Sequence, residues 1–235
     1  MKLSLVPLAI AGLLATLAVP AAELKEVAPG VVAADLMKRR SAEYDYDVPK
    51  PGTYQLPVLQ PAADGTVMGT NGAPVSLHEL MRGRVVVLSF IYTRCTDPKA
   101  CMRATGVLSE LQRLSRQMPG LADKLLLLTL SFDPAFDSPE VMARYGRVSL
   151  AQGDGAEWLF LTTRNQFELT PLLEAYGQRV DKRQQADAKG PYYHPLRVYL
   201  IDQQQQVRNI YSFGLLDPRL VATDAQTLVL EGAGK

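Results

Sequence analysis

The sequence predicts an α/β domain in which one mixed central sheet carries helices on both faces. Three observations carry that expectation. Two apolar runs, residues 85–92 and 125–132, show no polar alternation, so each reads as a strand buried on both faces. Stretches with helical periodicity separate the strands along the chain. A β-hairpin pattern near each end supplies the antiparallel part of the sheet.

The elements follow in order. Residues 1–22 open with Lys2, continue as an uncharged apolar segment and end in Pro20-Ala21-Ala22. That is the pattern of an export signal peptide with a small-residue cleavage site. The alternative is an uncleaved membrane anchor, because the apolar run stands near the lower limit for a span, about 17 residues. Both place the rest of the chain outside the cytoplasm, in a periplasm or an equivalent extracytoplasmic space. Residues 23–52 carry Lys38-Arg39-Arg40, a Tyr-Asp-Tyr-Asp patch and two prolines, and read as a spacer with helical character over 31–40. The folded domain is expected over 53–232.

Within it, residues 53–59 read as an edge strand limited by Pro57. Residues 64–77 read as a hairpin around Asn71-Gly72, a pair suited to the positive φ angles of a type I′ turn. His78 follows in a short turn as a surface residue. After the first buried strand, Asp97-Pro98 marks a helix start, with Asp97 as cap and Pro98 at the first helical position. Ala104, Val107, Leu108, Leu111 and Leu114 recur at helical spacing. Pro119-Gly120 ends that helix. Past the second buried strand, Ser138-Pro139-Glu140 opens a helix running to about Val148. Residues 157–161 form a short strand, and 165–176 a helix disturbed by Pro171 and stopped by Gly177. Residues 178–193 are a polar excursion. Residues 196–201 and 207–213 make a terminal hairpin turned by the glutamine run, and Asp217-Pro218 opens a last helix that fades by Gly232. Together these give a thioredoxin-like arrangement.

The chain has 235 residues, 47 % hydrophobic and 21 % charged, with a formal net charge of +1. That balance, without a basic cluster, leaves no electrostatic footprint for nucleic acid. Cys95 and Cys101 are its only cysteines. They lie where the first buried strand runs into a helix, and the unpaired N–H groups of a helix N-terminus favour thiolate. Arg94, Lys99 and Arg103 flank them and act in the same direction. In an oxidising compartment such a pair forms a disulfide or holds a metal.

Over residues 54–230 the sequence resembles the Sco/SenC proteins, thioredoxin-fold assembly factors for copper sites in respiratory oxidases. The resemblance rests on APVSLHELMRGRVVVLSFIYTRC, the paired cysteines, LTLSFDPAFDSPEVMARYG, LFLTTRNQFELTPLLEAYG and HPLRVYLID. It implies that Cys95, Cys101 and His194 are copper ligands, and that Asp97 and Asp133 match acids of the family motifs. It further implies a role in copper delivery to, or thiol reduction at, the dinuclear copper site of cytochrome c oxidase. The partner would then be a copper-accepting oxidase subunit or another copper carrier. One departure concerns the site itself. The family pattern is Cys-x3-Cys followed by proline, whereas here five residues separate the cysteines and Met102 follows. Three intervening residues put both sulfurs on one helical face, and five do not. The extra residues therefore form a loop, with Cys101 entering the first helical turn.

Two thiolates and an imidazole make a soft, low-coordinate set that suits Cu(I), and less cleanly Cu(II). Zinc ordinarily takes a fourth ligand. Met102 is a further soft donor whose ordinary role is packing, and Tyr192 and Tyr193 are candidate walls of the site. The alternative is a thiol–disulfide oxidoreductase with Cys95 attacking and Cys101 resolving. A thiol peroxidase lacks its usual threonine–cysteine motif here, and a binding module with a merely structural disulfide gains little from closing so small a loop. As a carrier the protein would not itself be an enzyme, and the polar excursion bearing His194 would be its mobile part.

Overall fold

The computed structural model describes residues 44–97, 99–150, 155–187 and 190–233. The expected export signal, the helical part of the spacer and Pro98 lie outside them. In chain order the strands are β1 (Gln60–Pro61), β2 (Thr66–Met68), β3 (Pro74–Ser76), β4 (Val85–Ile91), β5 (Leu125–Ser131), β6 (Glu157–Leu161), β7 (Asp181–Asp187), β8 (Gly190–Tyr193), β9 (Val198–Ile201) and β10 (Gln206–Tyr211). The helices are α1 (Leu77–Met81), α2 (Cys101–Ser115), α3 (Leu121–Lys124), α4 (Pro139–Leu150), α5 (Gln166–Ala175) and α6 (Pro218–Ala233).

The apolar runs decide the architecture. β4 and β5 are buried at every position and lie parallel at the centre of a six-stranded sheet ordered β1-β10-β9-β4-β5-β6. β6 continues the parallel part, while β9, β10 and β1 continue it antiparallel. Each fully buried Val, Leu, Ile or Phe here contributes roughly 1.5–3 kcal/mol. The two faces are covered by different helices. On one, Phe90 and Tyr199 meet Tyr176, the residue that caps α5. On the other, Phe160 meets Tyr145 of α4, whose hydroxyl bonds Thr105 of α2 at 2.7 Å. α2 in turn packs along α6 and buries Ala104, Val107, Leu108, Leu111 and Leu114, the stripe expected from spacing. The architecture is thus the expected thioredoxin-like α/β fold with a mixed central sheet flanked by helices.

Four local expectations are corrected. Residues 55–59 are extended but unpaired for most of their length; only Leu59 donates, to the Val207 carbonyl, before β1 pairs with β10. Prolines at 57 and 61 remove the donors that a longer edge strand needs. The β2–β3 hairpin forms, but its turn is not type I′. Gly72 has φ +74° and Asn71 does not share a positive φ, because its side chain instead accepts the Ala73 N–H at 3.0 Å. His78 is half-buried rather than on the surface: its Nε2 lies 2.8 Å from the Ala62 carbonyl, tying α1 to the chain before β2. Finally, the polar excursion is a two-stranded ribbon, β7 paired antiparallel with β8.

Candidate metal centre

β4 ends at the same edge of the domain where β9 begins, since the two are antiparallel neighbours. Cys95 therefore hangs in the loop after β4, and His194, between β8 and β9, arrives beside it. Cys101 occupies the first position of α2. The helix does not begin at Asp97 as expected. The inserted residues form a separate turn in which Asp97 accepts the Lys99 N–H at 3.0 Å through its side chain and the Ala100 N–H at 3.2 Å through its carbonyl. α2 then starts with Ala100 in the capping position and no side-chain cap.

The structure brings the three expected residues together. Cys101 Sγ lies 3.5 Å from His194 Nε2, and one donor atom from each of Cys95, Cys101 and His194 lies within 4.8 Å of the others. Both cysteines are free thiols and buried. Three donors in a plane around one ion at about 2.0–2.3 Å stand about 3.5–4.0 Å apart, so a group whose atoms all lie within 4.8 Å of one another needs only a small closure to hold it. His194 Nδ1 is buried without a hydrogen-bond partner among the described residues. The imidazole thus has one nitrogen against a thiol and one unsatisfied, and the donor set fits a soft ion. Phe132 and Tyr92 hold the ring edge-on, at 4.8 and 5.9 Å between centroids.

The two thiols are electrostatically unlike. The Cys101 thiol hydrogen-bonds the Cys95 sulfur and, with His194 and the backbone N–H groups of Cys101 and Asp97, outweighs the cost of burial, bringing Cys95 down to about 4. Burial and the Cys95 charge push Cys101 the other way, far above an ordinary thiol. Tyr92 is likewise pushed up, by burial first and then by the two sulfurs. The sign for Cys95 is that of a depressed acid. The fold favours its thiolate in full above an ordinary thiol pKa of about 8.5, and that preference is lost as pH falls through about 4. In the reduced, metal-free chain the alkylation rate of Cys95 by iodoacetamide is therefore expected to stay flat from pH 8 to pH 6 and to drop near pH 4. Mass spectrometry of the alkylated peptides checks this; a tenfold fall per unit from pH 8 downward would contradict it.

Two acids position the cysteine loop. Asp133 accepts from Arg94 at 2.6 Å and from the Tyr192 hydroxyl at 3.1 Å, joining the loop to β8. Asp137, wholly buried, accepts the Thr93 N–H at 3.0 Å and the Thr93 and Ser131 hydroxyls at 2.5 Å each. Asp137 is not among the site residues expected from the sequence. The signal it offers is an acid just past the end of a buried strand, a place where a carboxyl group readily meets the loop of the neighbouring strand. Tyr192 and Tyr193 do wall the site: with Tyr92, Cys95, Arg183 and His194 they line a cavity of about 90 Å³.

Gly190 anchors the ribbon. It has φ +106°, and a Cβ there would stand 2.2 Å from the Tyr92 hydroxyl. Gly190→Ala is expected to cost about 1–3 kcal/mol through backbone strain and to displace the ribbon that carries His194. Thermal unfolding reads the first effect, and loss of metal retention in the folded variant reads the second.

Comparison with known proteins places these features in context. The SCO1/SenC family model matches residues 63–230. No curated protein matches. Among solved structures, Bradyrhizobium japonicum ScoI with copper bound is 22 % identical with a TM-score of 0.57, covering 71 % of this chain and 98 % of its own. Arabidopsis thaliana ScoI with copper bound is 16 % identical with a TM-score of 0.62, covering 72 % and 98 %. A SCO1/SenC family lipoprotein from Bacillus anthracis str. Ames is 24 % identical with a TM-score of 0.57, covering 77 % and 99 %. At these identities the likeness is one of fold.

Proposed function

The chain belongs to the SCO1/SenC family, and from that premise we propose that it carries one copper ion on Cys95, Cys101 and His194 and hands it to a copper-accepting protein. The acceptor in this reading is the dinuclear copper site of a respiratory cytochrome c oxidase, or a second carrier on the way to it. The observation that carries the proposal is the convergence of two thiols and one imidazole within 4.8 Å, a donor set soft enough for Cu(I). The copper bound to the two ScoI neighbours supports it.

The chemistry is ligand exchange without net redox change. Cys95 offers the thiolate, already formed at neutral pH, that binds the incoming ion first. Cys101 gives up its proton on binding, and the ion takes over the stabilisation that burial denies a bare thiolate. His194 sits on the connection between β8 and β9, at the cavity mouth. Its release leaves a two-sulfur site that an acceptor thiol or imidazole enters, one ligand at a time. The site works outside the cytoplasm, with the N-terminal segment as export signal or membrane tether.

The test is an anaerobic Cu(I) and Cu(II) titration of the reduced chain. One tightly held copper per chain supports the carrier. Absence of copper retention, with a readily cycled Cys95–Cys101 disulfide, supports thiol–disulfide exchange instead. That second reading draws on the unequal thiols, an attacking thiolate at Cys95 beside a protonated partner at Cys101.

A further inference from the structure

The rim of the site has a composition that metal binding does not require. Three cations each lie against an aromatic ring, and the pairs draw on four segments of the chain. Arg94 stands 4.1 Å over Phe136, Lys99 stands 5.9 Å from Phe213, and Arg183 stands 5.9 Å from Tyr193. These segments are the cysteine loop, the β5–α4 and β10–α6 connections, and the β7–β8 ribbon. β4, β5 and β10 all end here, and β9 begins here, so the pairs ring Cys95, Cys101 and His194. Phe136, Tyr193 and Phe213, with Met102 and Leu215, are 45–60 % exposed. Apolar groups of this size are rarely gathered on a free surface without a partner.

The charges on this rim are sorted by depth. Asp133 and Asp137 are buried, while Arg94 and Lys99 are exposed. Asp97 is the half-exposed acid of the cysteine loop, and Asp181 at the start of the ribbon is paired to Arg179. A docking protein therefore meets arginine, lysine and aromatic side chains, the types that dominate interface hot spots, with positive charge outermost.

We propose that this collar is a docking surface for a partner protein whose own face is acidic and apolar, and that the partner is the copper acceptor. The identity of the partner rests on the carrier reading; the collar itself does not. Apolar contact between the exposed rings and the partner provides adhesion. The cations steer the encounter and set its orientation, bringing the acceptor ligands over the cavity mouth beside Cys95.

The experiment measures binding of the full chain to a soluble, copper-free domain bearing the dinuclear copper site of cytochrome c oxidase. Wild type, Lys99→Glu and the double variant Phe213→Ala/Leu215→Ala are compared by calorimetry, each with and without copper. Lys99→Glu is expected to weaken binding about tenfold at low salt, with the difference shrinking as salt rises. The apolar double variant is expected to weaken binding at all salt concentrations. Copper retention is expected to match wild type in the apolar double variant. Failure of wild type to bind the domain at low salt overturns the proposal, as does binding unchanged in both variants. Binding to phosphatidylglycerol vesicles without binding to the domain overturns it in favour of a lipid-facing rim. A chain that docks but holds no copper defeats the carrier reading and leaves the collar standing; one that holds copper but does not dock defeats the collar alone.

Discussion

Replacing His194 with alanine is expected to lower copper affinity by at least about a hundredfold, more than loss of a residue that merely supports a ligand, while leaving the fold and the thiol chemistry in place. His194 contributes one of three donors, and its Nε2 lies 3.5 Å from the Cys101 sulfur. Its ring packs edge-on against Phe132 and Tyr92, so truncation also leaves a small void beside the sulfurs. Cys101→Ser is expected to abolish tight binding altogether, because the remaining pair would be one thiolate and one imidazole. Titration with a competing Cu(I) chelator measures both. The two variants separate the readings. His194→Ala loses copper in a carrier but retains most dithiol–disulfide cycling in an oxidoreductase, whereas Cys101→Ser ends both. Tight copper binding undiminished in His194→Ala would remove the histidine from the ligand set.

How far the sequence alone reaches is visible in these same residues. β4 and β5 were legible because burial on both faces leaves a continuous apolar run, and the inner stripe of α2 because its spacing has only one helical solution. The grouping of Cys95, Cys101 and His194 was legible through the family motifs, not through local chemistry: the histidine is 93 residues from Cys101, and nothing near it in the chain announces a site. The geometry between the cysteines was not legible. Five intervening residues have no fixed helical phase, so the late start of α2 does not follow from spacing. Asp97 looks like a helix cap because an acid before a proline usually is one, and only the folded loop shows it closing a turn upstream. The β7–β8 ribbon escaped because β7 is almost wholly polar in sequence and β8 is only four residues long, so neither carries the period-two signal that burial imposes.

Asp137→Ala is expected to be the most destabilising single change near the site, although residue 137 touches neither sulfur. Its carboxyl group is wholly buried and accepts from one N–H and two hydroxyls, on Thr93 and Ser131. Alanine removes all three acceptances and leaves the Thr93 N–H stranded in the interior. Each unsatisfied buried donor costs about 1–3 kcal/mol, and bonds to a charged acceptor are the stronger kind. A loss of about 3–5 kcal/mol follows, a large share of the roughly 5–15 kcal/mol that holds a domain together. For a domain of this size that lowers the midpoint of thermal unfolding by roughly 6–20 °C. The effect is not confined to stability. Thr93 stands two residues before Cys95, and Asp137 fixes both its backbone and its side chain, so the loop that presents the thiolate loses one of its two anchors. Asp133, through Arg94 and Tyr192, is the other. Below its lowered melting point the folded Asp137→Ala protein is therefore expected to release copper faster than wild type. Differential scanning calorimetry reads the first effect, and stopped-flow transfer to a chelator at 15 °C reads the second. A variant that melts early but releases copper at the wild-type rate would show that Arg94 and Asp133 alone hold the loop.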